Sequence, residues 1–309
     1  MAKASQKLSI PGWSGSASAS QRKVNGVLIH YVEAGDEEAP LVILLHGFPD
    51  FWWGWRHQIG PLADAGFRVV APDQRGYNLS AKPLGSRAYD LDVLATDVLA
   101  LAEALGSTRT RLVGHDFGGL VAWQAASRNP ERVERLGIIN APHPEVVGAY
   151  MLRHPTQMMR SLYAGFFQLP FMPEAVLSAA DYTVMRQALT GSSQQNVFSP
   201  DDLERYRQAW AEPGALTAML NWYRALPLRS QLDDPRVHVP ALVIWGLRDR
   251  FLEKGLADES LSLCDEGQFL GFDRASHWVQ LEEAPAVNAA LAAFLKAEPH
   301  PASGRSPAA

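Results

Sequence analysis

Apolar positions divide the chain into zones. Between residues 27 and 143, short apolar runs alternate with amphipathic stretches, so that 27–33, 41–46, 67–71, 111–114 and 136–140 predict strands and 92–105 predicts a helix. Leu41, Val42, Ile43, Leu44 and Leu45 leave no polar face, which fits a strand buried on both sides of a largely parallel sheet. From 144 to 229 the strand pattern stops, and Met158, Met159, Leu162, Phe166 and Phe167 recur at near-helical spacing. Strand patterning resumes at 241–245 and 268–272, followed by a final helix over about 284–297. This alternation predicts an α/β class. A helical insertion that follows a strand end lies over the carboxyl edge of the sheet, where open α/β sheets bind ligands, and acts there as a lid. The expected division is a core of 23–143 and 230–297, a helical cap of 144–229, and loosely packed Ser/Ala/Gly-rich and Pro/Ser/Ala-rich ends at 1–22 and 298–309.

Composition narrows the function classes. The 309 residues are 47% hydrophobic with a net charge of -5, enough apolar content for a sizeable core. No basic cluster is present, so nucleic acid and anionic membrane are not expected partners. Cys264 is the single cysteine, which excludes an intrachain disulfide and a cysteine metal cluster. No continuous apolar segment suggests a secretory signal or a membrane span, so a cytoplasmic location is expected.

The chemistry concentrates at Gly114, His115, Asp116, Phe117, Gly118 and Gly119, directly after the apolar run Arg111, Leu112, Val113. This reads as a strand ending in a sharp turn that opens a helix, with Asp116 at the apex and small residues where the backbone bends. A carboxylate at this point needs no deprotonation at neutral pH, but it forms an ester only with a carbon that carries its own leaving group. The substrate class narrows to electrophilic alkyl centres such as epoxides or alkyl halides. His46, Gly47, Phe48 and Pro49 end another buried strand, and the backbone N–H groups of Phe48 and Phe117 together could hold an oxyanion. Asp249 and His277 follow the ends of two later strands, giving the chain order nucleophile, acid, base. An imidazole oriented by Asp249 can use its other nitrogen to deprotonate water. His57, His115, His143 and His154 read as structural or pocket-lining.

In combination, His46–Pro49, Trp55–Gln58, 65–68, 73–77, Gly114–Gly119 and 276–278 resemble the epoxide hydrolase branch of the α/β-hydrolase superfamily, over roughly residues 24–297. The resemblance implies a sheet with helices on both faces, and two cap tyrosines, matched here by Tyr163 and Tyr223, that hydrogen-bond the epoxide oxygen and protonate it on opening. It implies a two-step hydrolysis through an ester on Asp116 with no metal or cofactor, and a cis Phe48–Pro49 bond. The sequence departs from the branch at Phe117, where many relatives carry Trp, and at Asn78, where Gly is usual. Substrate contacts are expected from Phe48, Phe117, Tyr163, Tyr223 and Trp278, and the aromatic and methionine side chains suggest a small apolar epoxide, acting with water on a monomer or homodimer. Two alternatives stay open. A haloalkane dehalogenase would want side-chain N–H donors at the positions of Phe117 and Phe48, and a fluoroacetate dehalogenase would want Arg at Phe117 and a His and Trp at Ala164 and Gly165. A non-catalytic ligand receptor is the other.

Overall fold

The computed structural model describes residues 6–297. Nine strands form one sheet: β1 (Gln6–Leu8), β2 (Ala17–Val24), β3 (Val27–Ala34), β4 (Leu41–Leu45), β5 (Arg68–Pro72), β6 (Thr110–His115), β7 (Val133–Ile139), β8 (Ala241–Gly246) and β9 (Gly267–Phe272). Their order is β1-β2-β3-β5-β4-β6-β7-β8-β9. The first three run antiparallel to their neighbours, and every pairing from β5 onward is parallel. All five residues of β4 are buried, as an uninterrupted apolar run at the centre of a covered sheet requires. Burying each of these side chains contributes roughly 1.5–3 kcal/mol. Helices Leu91–Ala104 and Phe117–Arg128 pack together, as do Ile59–Asp64 and Ala284–Lys296, and the two pairs sandwich the sheet.

The amino-terminal segment corrects one expectation. Residues 1–22 were expected to pack loosely, yet 6–8 and 17–22 lie in β1 and β2. Asn25 and Gly26, with φ of 44° and 78°, make the two-residue turn that pairs β2 with β3. Ile10 and Ala17 are buried, and the Trp13 indole donates to Asp64 Oδ1 at 2.9 Å. Ser18, Ser20 and Gln21 gave no apolar run because β2 lies near the sheet edge, where backbone pairing rather than burial holds the strand. Residues 1–5 and the expected tail 298–309 lie outside the described residues.

Between β7 and β8 the chain is helical: Pro144–Arg153, Pro155–Arg160, Leu162–Phe166, Met172–Ser192, Pro200–Ala211, Ala215–Ala225 and a short 3-10 turn at Leu226–Leu228. Met172–Ser192 is two helices joined at Ala179–Tyr182, where Ala180, Asp181 and Tyr182 have φ of 46°, 56° and 61°. Arg224 ties this layer together, pairing with Glu174 at 2.8 Å and donating to the Phe167 and Leu169 carbonyls. No helix among the described residues is long and apolar enough to cross a membrane.

Candidate active site

Asp116 sits at the carboxyl end of β6 with φ 51° and ψ -123°, a left-handed conformation that costs about 1–3 kcal/mol and is held by its surroundings. The glycines make that possible by close approach. A Cβ on Gly118 would stand 2.1 Å from the Leu45 carbonyl oxygen, and one on Gly47 would stand 2.3 Å from Asp116 Cβ. The end of β4 and the turn after it can therefore close on the elbow only where both glycines lack a side chain. The contact brings the Phe48 amide to Asp116 Oδ1, which accepts its hydrogen bond at 2.8 Å. Phe117 opens the following helix, and its amide is one of the first-turn donors that the helix itself cannot satisfy. The Phe48–Pro49 bond is cis.

His277, past the end of β9, faces Asp116 with Nε2 3.6 Å from Oδ2 and donates from Nδ1 to Asp249 Oδ2 at 2.8 Å. Asp249 is fixed in turn. Its Oδ1 accepts from the amides of Phe251 (2.7 Å) and Leu252 (3.1 Å), and its Oδ2 accepts from Asn140 Nδ2 at 2.7 Å. Asn140 Oδ1 accepts from the Gly246 amide at 2.8 Å, so one side chain bridges β7's end to both β8 and the acid. Sequence reading passed over Asn140. Its signal was a polar residue ending an apolar strand, beside the strand that leads to Asp249.

Burial alone would push His277 down, but the Asp249 and Asp116 carboxylates outweigh it and raise its pKa to about 10. Burial opposes ionisation of Asp116 as well, yet the facing His277 charge and the Phe48 amide hold its carboxyl below the usual range. At neutral pH the resting pair is carboxylate and imidazolium. His115 is driven to about 3 by burial and by His277, so it is neutral, and its Nε2 donates to the His277 carbonyl at 2.9 Å. That makes it a support for the His277 loop.

Tyr163 and Tyr223 reach this group from the helical segment between β7 and β8, their rings 6.0 Å apart. The Tyr223 ring stands edge-on to Phe48 at 5.1 Å and to Phe117 at 4.6 Å. Burial, with Asp116 adding to it, pushes both phenols above their usual range, so both are proton donors across the physiological range.

Such a site can attack an electrophilic carbon, protonate what departs and activate water. Residues 40–284 match the family described as alpha/beta hydrolase fold. The chain belongs to that family. It is 46% identical to the AB hydrolase superfamily protein YfhM of Bacillus subtilis, over 88% of this chain and 96% of YfhM. It is 38% identical to Epoxide hydrolase 4 of Homo sapiens, over 89% of this chain and 78% of that protein. An epoxide hydrolase of Bacillus megaterium, solved with an inhibitor, superposes with a TM-score of 0.84 at 31% identity, covering 90% of this chain and 100% of that one.

The cavity of this α/β hydrolase holds about 330 Å³, and its lining includes Asp116, His277 and the two tyrosines. Val176, Leu177, Val184, Met185 and Leu189, from both halves of the kinked helix, form an apolar wall that sequence reading did not anticipate. Phe48, Phe166, Phe167 and Trp278 line it as expected and Phe251 joins them, whereas Phe117, expected to touch the guest, is covered by Trp222 and Tyr223 and does not line it. Met158 and Met159, expected beside the guest, instead point outward, because the helix Pro155–Arg160 turns its other face to the core through Gln157. The Trp278 indole N–H is spent on Ser192 Oγ at 2.9 Å.

The remaining histidines lie elsewhere. His143 bonds Ser127 and caps the helix Pro144–Arg153, His154 stacks on Tyr150, and His57 gives its carbonyl to Asn288. Asn78 takes a φ of 39° where Gly was expected and donates to Asp73 Oδ2 at 2.8 Å, so the departure costs the turn little. Burial pushes the Cys264 thiol up to about 12, which suits an inert side chain.

Proposed function

We propose that this α/β hydrolase opens an epoxide to a vicinal diol through an ester on Asp116. Asp116 Oδ attacks a ring carbon from the side opposite its C–O bond, and that bond breaks as the oxygen takes a proton from Tyr163 or Tyr223. The tyrosinate is reprotonated from the His277 imidazolium. Esterification removes one of the two charges that raised His277, so the ring is left neutral and becomes a base at the moment a base is needed. It takes a proton from water, hydroxide adds to the ester carbonyl, and the Phe48 and Phe117 amides hold the resulting oxyanion. Collapse expels the diol oxygen, which takes a proton from His277, and the Asp116 carboxylic acid then passes its own proton to His277 to restore the resting ion pair.

The observation that carries this reading is the pair of protonated tyrosines that line the same, largely apolar cavity as Asp116. A departing alkoxide needs a proton, whereas a departing halide needs N–H donors. Phe48 and Phe117 have none on their side chains, and the Trp278 indole is already bonded to Ser192. The apolar lining supports an apolar or aryl epoxide as the guest. Assaying styrene oxide for diol, and haloalkanes for halide, tests the reading: diol is expected with wild-type protein and none with Asp116→Ala, while halide release without diol would overturn it.

A further inference from the structure

The turn that carries the Phe48 amide is gripped from the cap. Gly47–Asp50 is closed by the Asp50 amide donating to the Gly47 carbonyl at 3.0 Å, which leaves the Phe48 N–H pointing at Asp116. The next residues do not rest on the core alone. Trp210 Nε1 donates to the Pro49 carbonyl at 2.6 Å, Tyr206 OH donates to Asp50 Oδ1 at 2.8 Å, and Trp53 Nε1 donates to Asp202 Oδ1 at 2.6 Å. Asp202, Tyr206 and Trp210 are spaced by four along the helix Pro200–Ala211, so they stack on one face, one turn apart. Tyr206 and Trp210 are fully buried, and Arg56 adds an ion pair to Asp202 at 3.3 Å. The Asp202 carboxylate also closes this helix's own capping box with Ser199, which locks the start of the helix to the same contact.

We propose that Asp202, Tyr206 and Trp210 are positioning residues for the reaction: through Pro49, Asp50 and Trp53 they hold the 47–53 turn so that the Phe48 amide keeps its aim at Asp116. The proposal rests on the ester mechanism above for its kinetic form, and on the hydrogen bonds alone for its structural form. A cap helix bonded to backbone and side chains immediately after the amide donor fixes that donor, whereas contacts made elsewhere on the core would only seat the cap. The consequence falls on one half of the reaction. In the resting enzyme the Phe48 N–H stabilises the Asp116 carboxylate, so loosening it does not slow attack. In the second half it stabilises the tetrahedral oxyanion, so loosening it slows ester hydrolysis.

Tyr206→Phe removes one donor and keeps the ring, and Trp210→Phe removes one donor while keeping a smaller aromatic ring. Rapid-quench intact mass on full-length protein with excess styrene oxide reads both steps. Ester hydrolysis should slow about 10-fold or more with attack within about 2-fold of wild type, so that ester accumulates at steady state. The Phe48 amide, followed by NMR hydrogen exchange without substrate, should lose protection in both variants while the β4 and β7 amides keep theirs. Equal slowing of both steps, or wild-type protection at Phe48, would overturn the positioning role and leave a purely structural contact. Asp202→Asn, which keeps the acceptor for Trp53, serves as a second variant should either Phe variant fail to fold, with a smaller loss expected in the same step. If wild-type protein forms diol and His277→Gln never carries an ester, the ester mechanism fails, and the exchange result still decides whether the helix positions Phe48.

Discussion

His277 Nε2 stands 3.6 Å from Asp116 Oδ2, near enough for a strong ion pair and too far for a direct hydrogen bond. From this position Nε2 could take a proton from a water that attacks the ester carbonyl of an alkylated Asp116. Because His277 is buried and Asp116 is partly buried, their charges bear on stability as well as on turnover.

Stability should therefore fall as pH rises above neutral. His277 titrates at about 10 in the folded protein against 6.5 ordinarily, so its ion pair is fully present below pH 6.5 and is lost as pH rises toward 10. Thermal melts of wild type at pH 7 and pH 9.5 should show a drop that is smaller in His277→Gln. Parallel curves for the two proteins would contradict the assignment.

Asp50 should act in a lower window. Burial, against the bonds from Phe51 and Tyr206, raises its carboxyl from 3.8 to about 7, so the folded protein keeps a proton that the unfolded chain releases, and stability falls as pH rises between those values. Asp50→Asn retains the acceptor for Tyr206 and carries no charge. Its Tm relative to wild type should be higher at pH 8 than at pH 4, and an advantage independent of pH would count against a protonated Asp50.

Asn140 holds Asp249 and does not line the cavity. Asn140→Ala should slow ester hydrolysis, with a ceiling set by the general-base contribution of roughly 10²–10⁴, and leave attack by Asp116 near wild type. The check is single-turnover kinetics that resolve both steps. A loss confined to the first step would remove Asn140 from the acid's support.

Tyr163→Phe and Tyr223→Phe should each lower the attack rate, by about 10²-fold for the more important donor, and the double variant should fall below either. Pre-steady-state ester formation measures this. Full activity in the double variant would mean that the leaving oxygen takes its proton elsewhere.

How much of this was legible follows from where the information sits. The 41–45 run and the Gly114–Gly119 elbow announce themselves because burial on both faces and backbone-to-backbone contact each demand particular residue types. The β1 and β2 strands did not, because edge strands rest on backbone hydrogen bonds that any side chain permits, although Asn25–Gly26 marked their turn. Asn140 and Asp249 are 109 residues apart and meet only because β7 and β8 are neighbours. Likewise the cavity wall depends on the chain reversing at Ala180–Tyr182, which contain no glycine to signal a left-handed turn.

The most direct measurement is the intact mass of His277→Gln after mixing with styrene oxide. The account predicts a stable adduct equal to one substrate, mapped by peptide digestion to Asp116 and absent from Asp116→Ala. An unmodified protein that still releases diol would contradict a covalent route through Asp116.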